Sequence, residues 1–182
     1  MHKRAVIVID LQNEYLPTGK LPLTGIEAAV AHAVTVIAEA RRTGIPVLHV
    51  RHESASNEAP IFVPGSDGVE MQAVVAPRED EPVITKHFVN AFRDTDLKQQ
   101  LDARGVGEVV VIGAMSHMCV DACVRAAADF GYTVTVLHDA CATLDLAFNG
   151  VTAPAAQVHA AMMAAFAFGY ARVTSTDAWL AG

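Results

Sequence analysis

Positive charge is scarce in this chain, with 13 Lys and Arg set against 20 Asp and Glu in 182 residues, for a formal net charge of -7. That balance leaves no basic face for a phosphate backbone and no Lys/Arg run for an anionic membrane, so neither nucleic acid nor a membrane is an expected partner. Cysteine is scarce too: the three present are an odd number without framework spacing, which fits a reducing compartment better than a disulfide scaffold. Long apolar runs are missing. The first, residues 5–9, stops at Asp10, too short for a signal-peptide core or a membrane span, so a cytoplasmic location is expected. No G-x-G-x-x-G follows the first strand and no G-x-x-x-x-G-K-[ST] occurs, which disfavours dinucleotide and NTP sites, and no cofactor is expected. Charged residues make up only 18% against 52% hydrophobic ones, the mark of a large buried core. The length suits one domain, residues 1–182.

What is present alternates. Apolar runs at 5–9, 46–50, 83–85, 109–112, 133–137 and 171–175 read as buried strands, and helical patterns fall at 26–43, 95–104, from about 117 to Gly131, 155–168 and 177–180. In the first helix Ala29, Val30, Ala33, Val34, Ile37 and Ala40 recur at helical spacing before Gly44. Continuous apolar strands alternating with helices predict an α/β three-layer sandwich around a parallel sheet, with ligands bound beyond the carboxyl ends of the strands. Residues 51–81 break the pattern, and a loop of that length reads as a pocket wall or lid.

The chain is organised around residues 109–132. Four β-branched residues lead through Gly113, Ala114, Met115 and Ser116 into an Ala-rich helix with Cys119 in its first turn. A thiol there sits near unpaired backbone N–H groups and the positive end of the helix dipole, which favours the thiolate. The same amides face a space where an oxyanion could be held. Asp10, Lys86 and Cys119 fall at the carboxyl ends of three different strands and could meet.

Three segments now read together: Asp10-Leu-Gln-Asn, Val83-Ile-Thr-Lys-His-Phe-Val-Asn-Ala-Phe-Arg-Asp-Thr-Asp-Leu, and Gly113-Ala-Met-Ser-His-Met-Cys-Val with Gly131-Tyr-Thr-Val after it. In this order they resemble the isochorismatase-like cysteine hydrolase family, over nearly the whole chain. The resemblance implies a six-stranded parallel sheet of order 3-2-1-4-5-6 and a homo-oligomer, dimer or tetramer. It implies an Asp10, Lys86, Cys119 triad that cleaves a C–N bond of a small molecule through a thioester. It further implies a cis peptide between Ala114 and Met115 that aims the amides of Met115 and Cys119 as an oxyanion hole. Other readings are a catalytically silent relative that binds a small molecule or a partner, and a thiol redox sensor, which the missing resolving cysteine weakens.

Further residues are candidates for the substrate pocket: Gln12, Phe62, Asn90, Phe92 and His117, with Phe88 and Met118 as apolar walls. Gln12 equally suits a turn-stabilising role, and His117 an exposed first-turn position. The stretch His49-Val-Arg-His-Glu53 lacks the Asp-x-His of nicotinamidase metal sites, so no metal is expected. Cys123 and Cys141 read as packing residues. The helix at 155–168 is apolar nearly all round, which suits either deep burial or a subunit interface.

Overall fold

The computed structural model describes residues 3–182. In chain order it contains β1 (Lys3–Ile9), α1 (Ile26–Thr43), β2 (Val47–His52), β3 (Val83–Lys86), α2 (Leu97–Ala103), β4 (Val106–Ala114), α3 (Cys119–Asp129) and β5 (Thr133–Ala142). There follow the two short strands β6 (Leu146–Phe148) and β7 (Val151–Ala153), then α4 (Ala155–Gly169), β8 (Arg172–Thr174) and α5 (Thr176–Leu180). Six strands pair in parallel in the order β3-β2-β1-β4-β5-β8. This is the expected isochorismatase-like sheet.

Its last strand is eighth in the chain because β6 and β7 form a separate antiparallel hairpin, which the sequence reading left out. Phe148 and Val151 in that hairpin are exposed, so no burial pattern marks it. Its signal was the Asn149-Gly150 pair, both residues with positive φ (50° and 76°), a favoured two-residue hairpin turn.

The sheet is covered on both faces. Ile7, Ile9, Val109 and Val111 pack with Val120 and Val124 of α3 and Leu97 and Leu101 of α2. Val6, Val8, Val110 and Ile112 pack with α1 on the other face. Because β1 and β4 are buried on both faces, they read as unbroken apolar runs. Helix α1 buries Ala29, Val30, Ala33, Val36, Ile37 and Ala40. Val34 is exposed, one step off the stripe, and Val36 takes the place expected for it.

Residues 53–82 form a wall tied down at several points. Glu14, itself buried, accepts the Phe62 N–H (2.9 Å), and Gln72 N–H donates to the Leu11 carbonyl. At the far end Glu81 receives two 2.7 Å bonds from Arg41 of α1, one from Arg78 N–H and one from His49. Burial alone would raise the Glu81 pKa, but these donors outweigh it and hold the carboxyl down at about 2. A depressed acid contributes stability above its unfolded pKa of about 4.3, lost as pH falls toward about 2. Glu81→Ala is therefore expected to lower the free energy of unfolding by on the order of 2 kcal/mol at pH 7. Urea titrations should show the difference from the parent shrinking as the pH is brought below 4.

Helix α4 buries Val158, Met163 and Phe166 and leaves Phe168 96% exposed. No helix among the described residues is long and apolar enough to cross a membrane.

Candidate active site

Three strand ends build the site. β1 runs into Asp10, whose φ of 49° turns the chain out of the sheet, and the Asp10 N–H still bonds the Val50 carbonyl of β2. β3 ends on Lys86, paired in register with His52 of β2. β4 ends at Gly113-Ala114; the Ala114–Met115 peptide is cis, and Cys119 is the first residue of α3. Asp10 and Lys86 are fully buried and Cys119 nearly so.

Lys86 joins them. Its Nζ lies 2.8 Å from Asp10 Oδ2, 3.2 Å from Cys119 Sγ and 3.1 Å from His52 Nδ1. An ammonium has three N–H donors and no acceptor; the sulfur and the imidazole take two of them, and Asp10 supplies the counter-charge. These contacts also fix His52 as the neutral tautomer whose Nδ1 accepts and whose Nε2 carries the proton. Burial, with the Lys86 charge beside it, pushes the His52 pKa down to about 4.

The electrostatics differ from the expectation drawn from the helix start. Burial raises the Cys119 pKa well above that of an ordinary thiol, the facing Asp10 charge raises it further, and Lys86 only partly opposes them. Burial also raises Asp10, against the pull of Lys86. Burial works against the Lys86 charge, yet Asp10 and Cys119 more than offset it, and its pKa is raised. Carboxylate and thiol thus share one proton and one negative charge, neutralised by the ammonium. Asp10 Oδ2 meets Lys86 at ion-pair distance without hydrogen-bond direction, and neither carboxylate oxygen has a well-directed partner among the described residues. Those lone pairs are open to a proton from sulfur.

Above the thiol lies a cavity of about 240 Å³ with Tyr15, His52, Phe62, Met115, Met118 and Cys119 in its lining. The backbone N–H groups of Met115 and Cys119 have no acceptor among the described residues. Ser116 behind them donates its N–H to the Ala142 carbonyl, and its hydroxyl lies 2.9 Å from His159 Nδ1, bracing the turn.

Of the substrate-pocket candidates, Phe62 lines the cavity, packed edge-on against His52 and Tyr15. Met118 lines it too, whereas Gln12, Asn90, Phe92 and His117 are placed elsewhere. The Gln12 amide is spent on the His52 backbone and the Val69 carbonyl, three bonds of 2.8 Å, the turn-stabilising role. Asn90 Oδ1 accepts the Phe92 N–H in a local turn. Phe92, partly buried, packs against Phe130 and Tyr132 at the edge of the core. His117 is half-buried rather than exposed, with Nδ1 2.6 Å from Thr143 Oγ1.

His49 points to Glu81, away from the thiol, while His52 faces it. Among the described residues no set of three or more His, Cys, Asp or Glu side chains converges to hold a metal. The sequence alone does not mark several of the residues around the cavity, Tyr15 and Glu14 first among them. Tyr15 lines the cavity and Glu14 anchors its wall, and their only signal was proximity to Asp10 at a strand end.

Comparison with known proteins follows the same lines. The isochorismatase domain family model matches residues 4–178. The isochorismatase family protein YddQ of Bacillus subtilis is 47% identical over 176 residues, 97% of this chain and 98% of YddQ. Maleamate amidohydrolase of Pseudomonas putida is 30% identical, covering 75% of this chain and 71% of its own. A solved structure described as an isochorismatase hydrolase, from Oleispira antarctica, superposes with a TM-score of 0.96 at 52% identity, covering 100% of this chain and 97% of the other.

Proposed function

The chain belongs to the isochorismatase family, whose members are hydrolases of C–N or ester bonds, and from that premise we propose that it is a cysteine-dependent hydrolase of a small-molecule C–N bond, with Asp10, Lys86 and Cys119 as its triad. The observation that carries this reading is the buried Lys86 ammonium within contact of both the Asp10 carboxylate and the Cys119 sulfur, beneath a cavity that Cys119 lines. Asp10 takes the thiol proton as Sγ attacks the carbonyl carbon, so charge never builds on an isolated thiolate. The negative charge moves to the carbonyl oxygen, which the N–H groups of Met115 and Cys119 receive. When the tetrahedral adduct collapses, Asp10 returns the proton to the leaving nitrogen and a thioester remains on Cys119. Water, deprotonated by Asp10, adds to the thioester; the acid leaves and the thiol is restored. Lys86 stays protonated and offsets the single negative charge as it passes between Asp10 and the carbonyl oxygen.

The test is ammonia release from a panel of small primary amides, with mass spectrometry of the acyl group on Cys119. Cys119→Ala, Asp10→Asn and Lys86→Ala are each expected to lower kcat by about 10³-fold or more. Hydrolysis that persists in Cys119→Ala would refute the reading.

The apolar exposed side of α4, ending in Phe168, supports assembly as a homo-oligomer through that helix. Sedimentation should give a dimer or larger for the parent and a smaller species for Phe168→Asp, with unchanged circular dichroism.

A further inference from the structure

The substrate class is written in the cavity above Cys119. Leu21, Ile61, Phe62, Val89, Met115 and Met118 supply apolar walls, and no Lys or Arg is among the lining residues. The one ammonium beneath the floor does not serve an incoming anion, because its charge is already matched by Asp10 at 2.8 Å and two of its N–H groups are held by Cys119 and His52. Two arginines on the flanking segments are already partnered. Arg51 is 2.7 Å from Glu53, and Arg93 lies over the Phe88 ring with Asp94 at 3.8 Å.

The polar groups in the lining are neutral donors. Tyr15 and Ser54 bring hydroxyls, and His52 brings a ring held in the Nε2–H form by Lys86. Such a set can hold an uncharged acceptor, a carbonyl or ether oxygen. It cannot balance a carboxylate, which would lose its water against apolar walls and face the charge shared by Asp10 and Cys119. The volume, about 240 Å³, lies below the usual range for drug-sized ligands and fits a small molecule. Two methionines in the lining allow some variation in its shape.

We propose, building on the hydrolase reading, that the substrate is a small uncharged amide with an apolar acyl part and that carboxylate-bearing amides are rejected, because the cavity lining combines apolar walls with neutral donors and holds no free cation.

Two aldehydes of nearly equal shape test this, 4-methylpentanal and 4-oxobutanoate, which differ by an isopropyl group in place of a carboxylate. Each can add to Cys119 reversibly: the sulfur–carbon bond forms, the carbonyl π bond breaks, and the thiol proton ends on the new hydroxyl. The readout is protection of Cys119 from iodoacetamide, followed by peptide mass spectrometry. We expect 4-methylpentanal to protect at a concentration at least about tenfold lower than 4-oxobutanoate. Val89→Arg, which places a cation in the cavity wall, is expected to narrow or reverse that ratio. Equal or better protection by 4-oxobutanoate in the parent protein would overturn the proposal, and so would no protection by either aldehyde while alkylation proceeds. The hydrolase reading fails separately, by hydrolysis that survives loss of the Cys119 thiol.

Discussion

Lys86→Met is expected to be the most damaging single change within the triad, in stability as well as in turnover. The parent holds a fully buried ammonium 2.8 Å from a fully buried carboxylate. Removing one partner of such a pair typically costs about 3–5 kcal/mol, because the other charge is left without water or a counter-charge. Asp10 has a way to limit the loss, which is to take up a proton. Its pKa is already raised by burial with Lys86 present, and without Lys86 the main opposing influence is gone. An acid whose folded pKa lies above its unfolded value binds more protons folded than unfolded between the two, so stability falls as pH rises through that window. The variant should therefore come closest to the parent near pH 5 and fall furthest behind near pH 8. Guanidinium titrations at both values check this. A destabilisation independent of pH would mean that Lys86 matters for packing and not for charge.

Gly113→Ala is expected to be worse for folding. Gly113 has φ 125°, a conformation that L-residues with a side chain rarely adopt, and it faces Ile9 of β1 in the sheet register. A Cβ there would overlap the Ile9 carbonyl oxygen, a backbone atom with no room to retreat in the central strand pair. Backbone strain of about 1–3 kcal/mol adds to that overlap, and the sum is comparable with the whole stability of many domains of this size. We expect the variant to accumulate mainly as insoluble protein. A soluble Gly113→Ala protein with a parent-like thermal midpoint would contradict this account of how β1 and β4 meet.

Much of the site was legible because it lies where sequence patterns change. Asp10, Lys86 and Cys119 each follow an apolar run, and a parallel sheet brings such run-ends to one edge. The pairing of β2 with β3 then sets His52 beside Lys86, a contact across 34 residues that no local pattern marks. Glu14 and Tyr15 were illegible for the same reason: Glu14 reaches Phe62 across 48 residues, and Tyr15 is recognisable only once Phe62 is packed against it. Asn90 and Phe92 carry the right residue types but turn into a local bond and the edge of the core. The thiol shows where local reasoning loses to tertiary structure. A helix start favours a thiolate, but burial and the facing Asp10 carboxylate reverse the direction of the shift.

That reversal bears on the central claim, that Asp10 takes the Cys119 proton directly. The most direct test is the rate of iodoacetamide alkylation at Cys119 between pH 6 and 8, in the parent and in Asp10→Asn. Cys123 and Cys141, buried and pushed up to about 12, serve as slow internal references. If the proton passes from sulfur to Asp10 within a site of constant charge, the parent rate should be nearly flat across this range. In Asp10→Asn the thiol must lose its proton to solvent, and the rate should start lower and climb about tenfold per pH unit. A parent rate that climbs in step with that of Asp10→Asn would show that Asp10 is not the base.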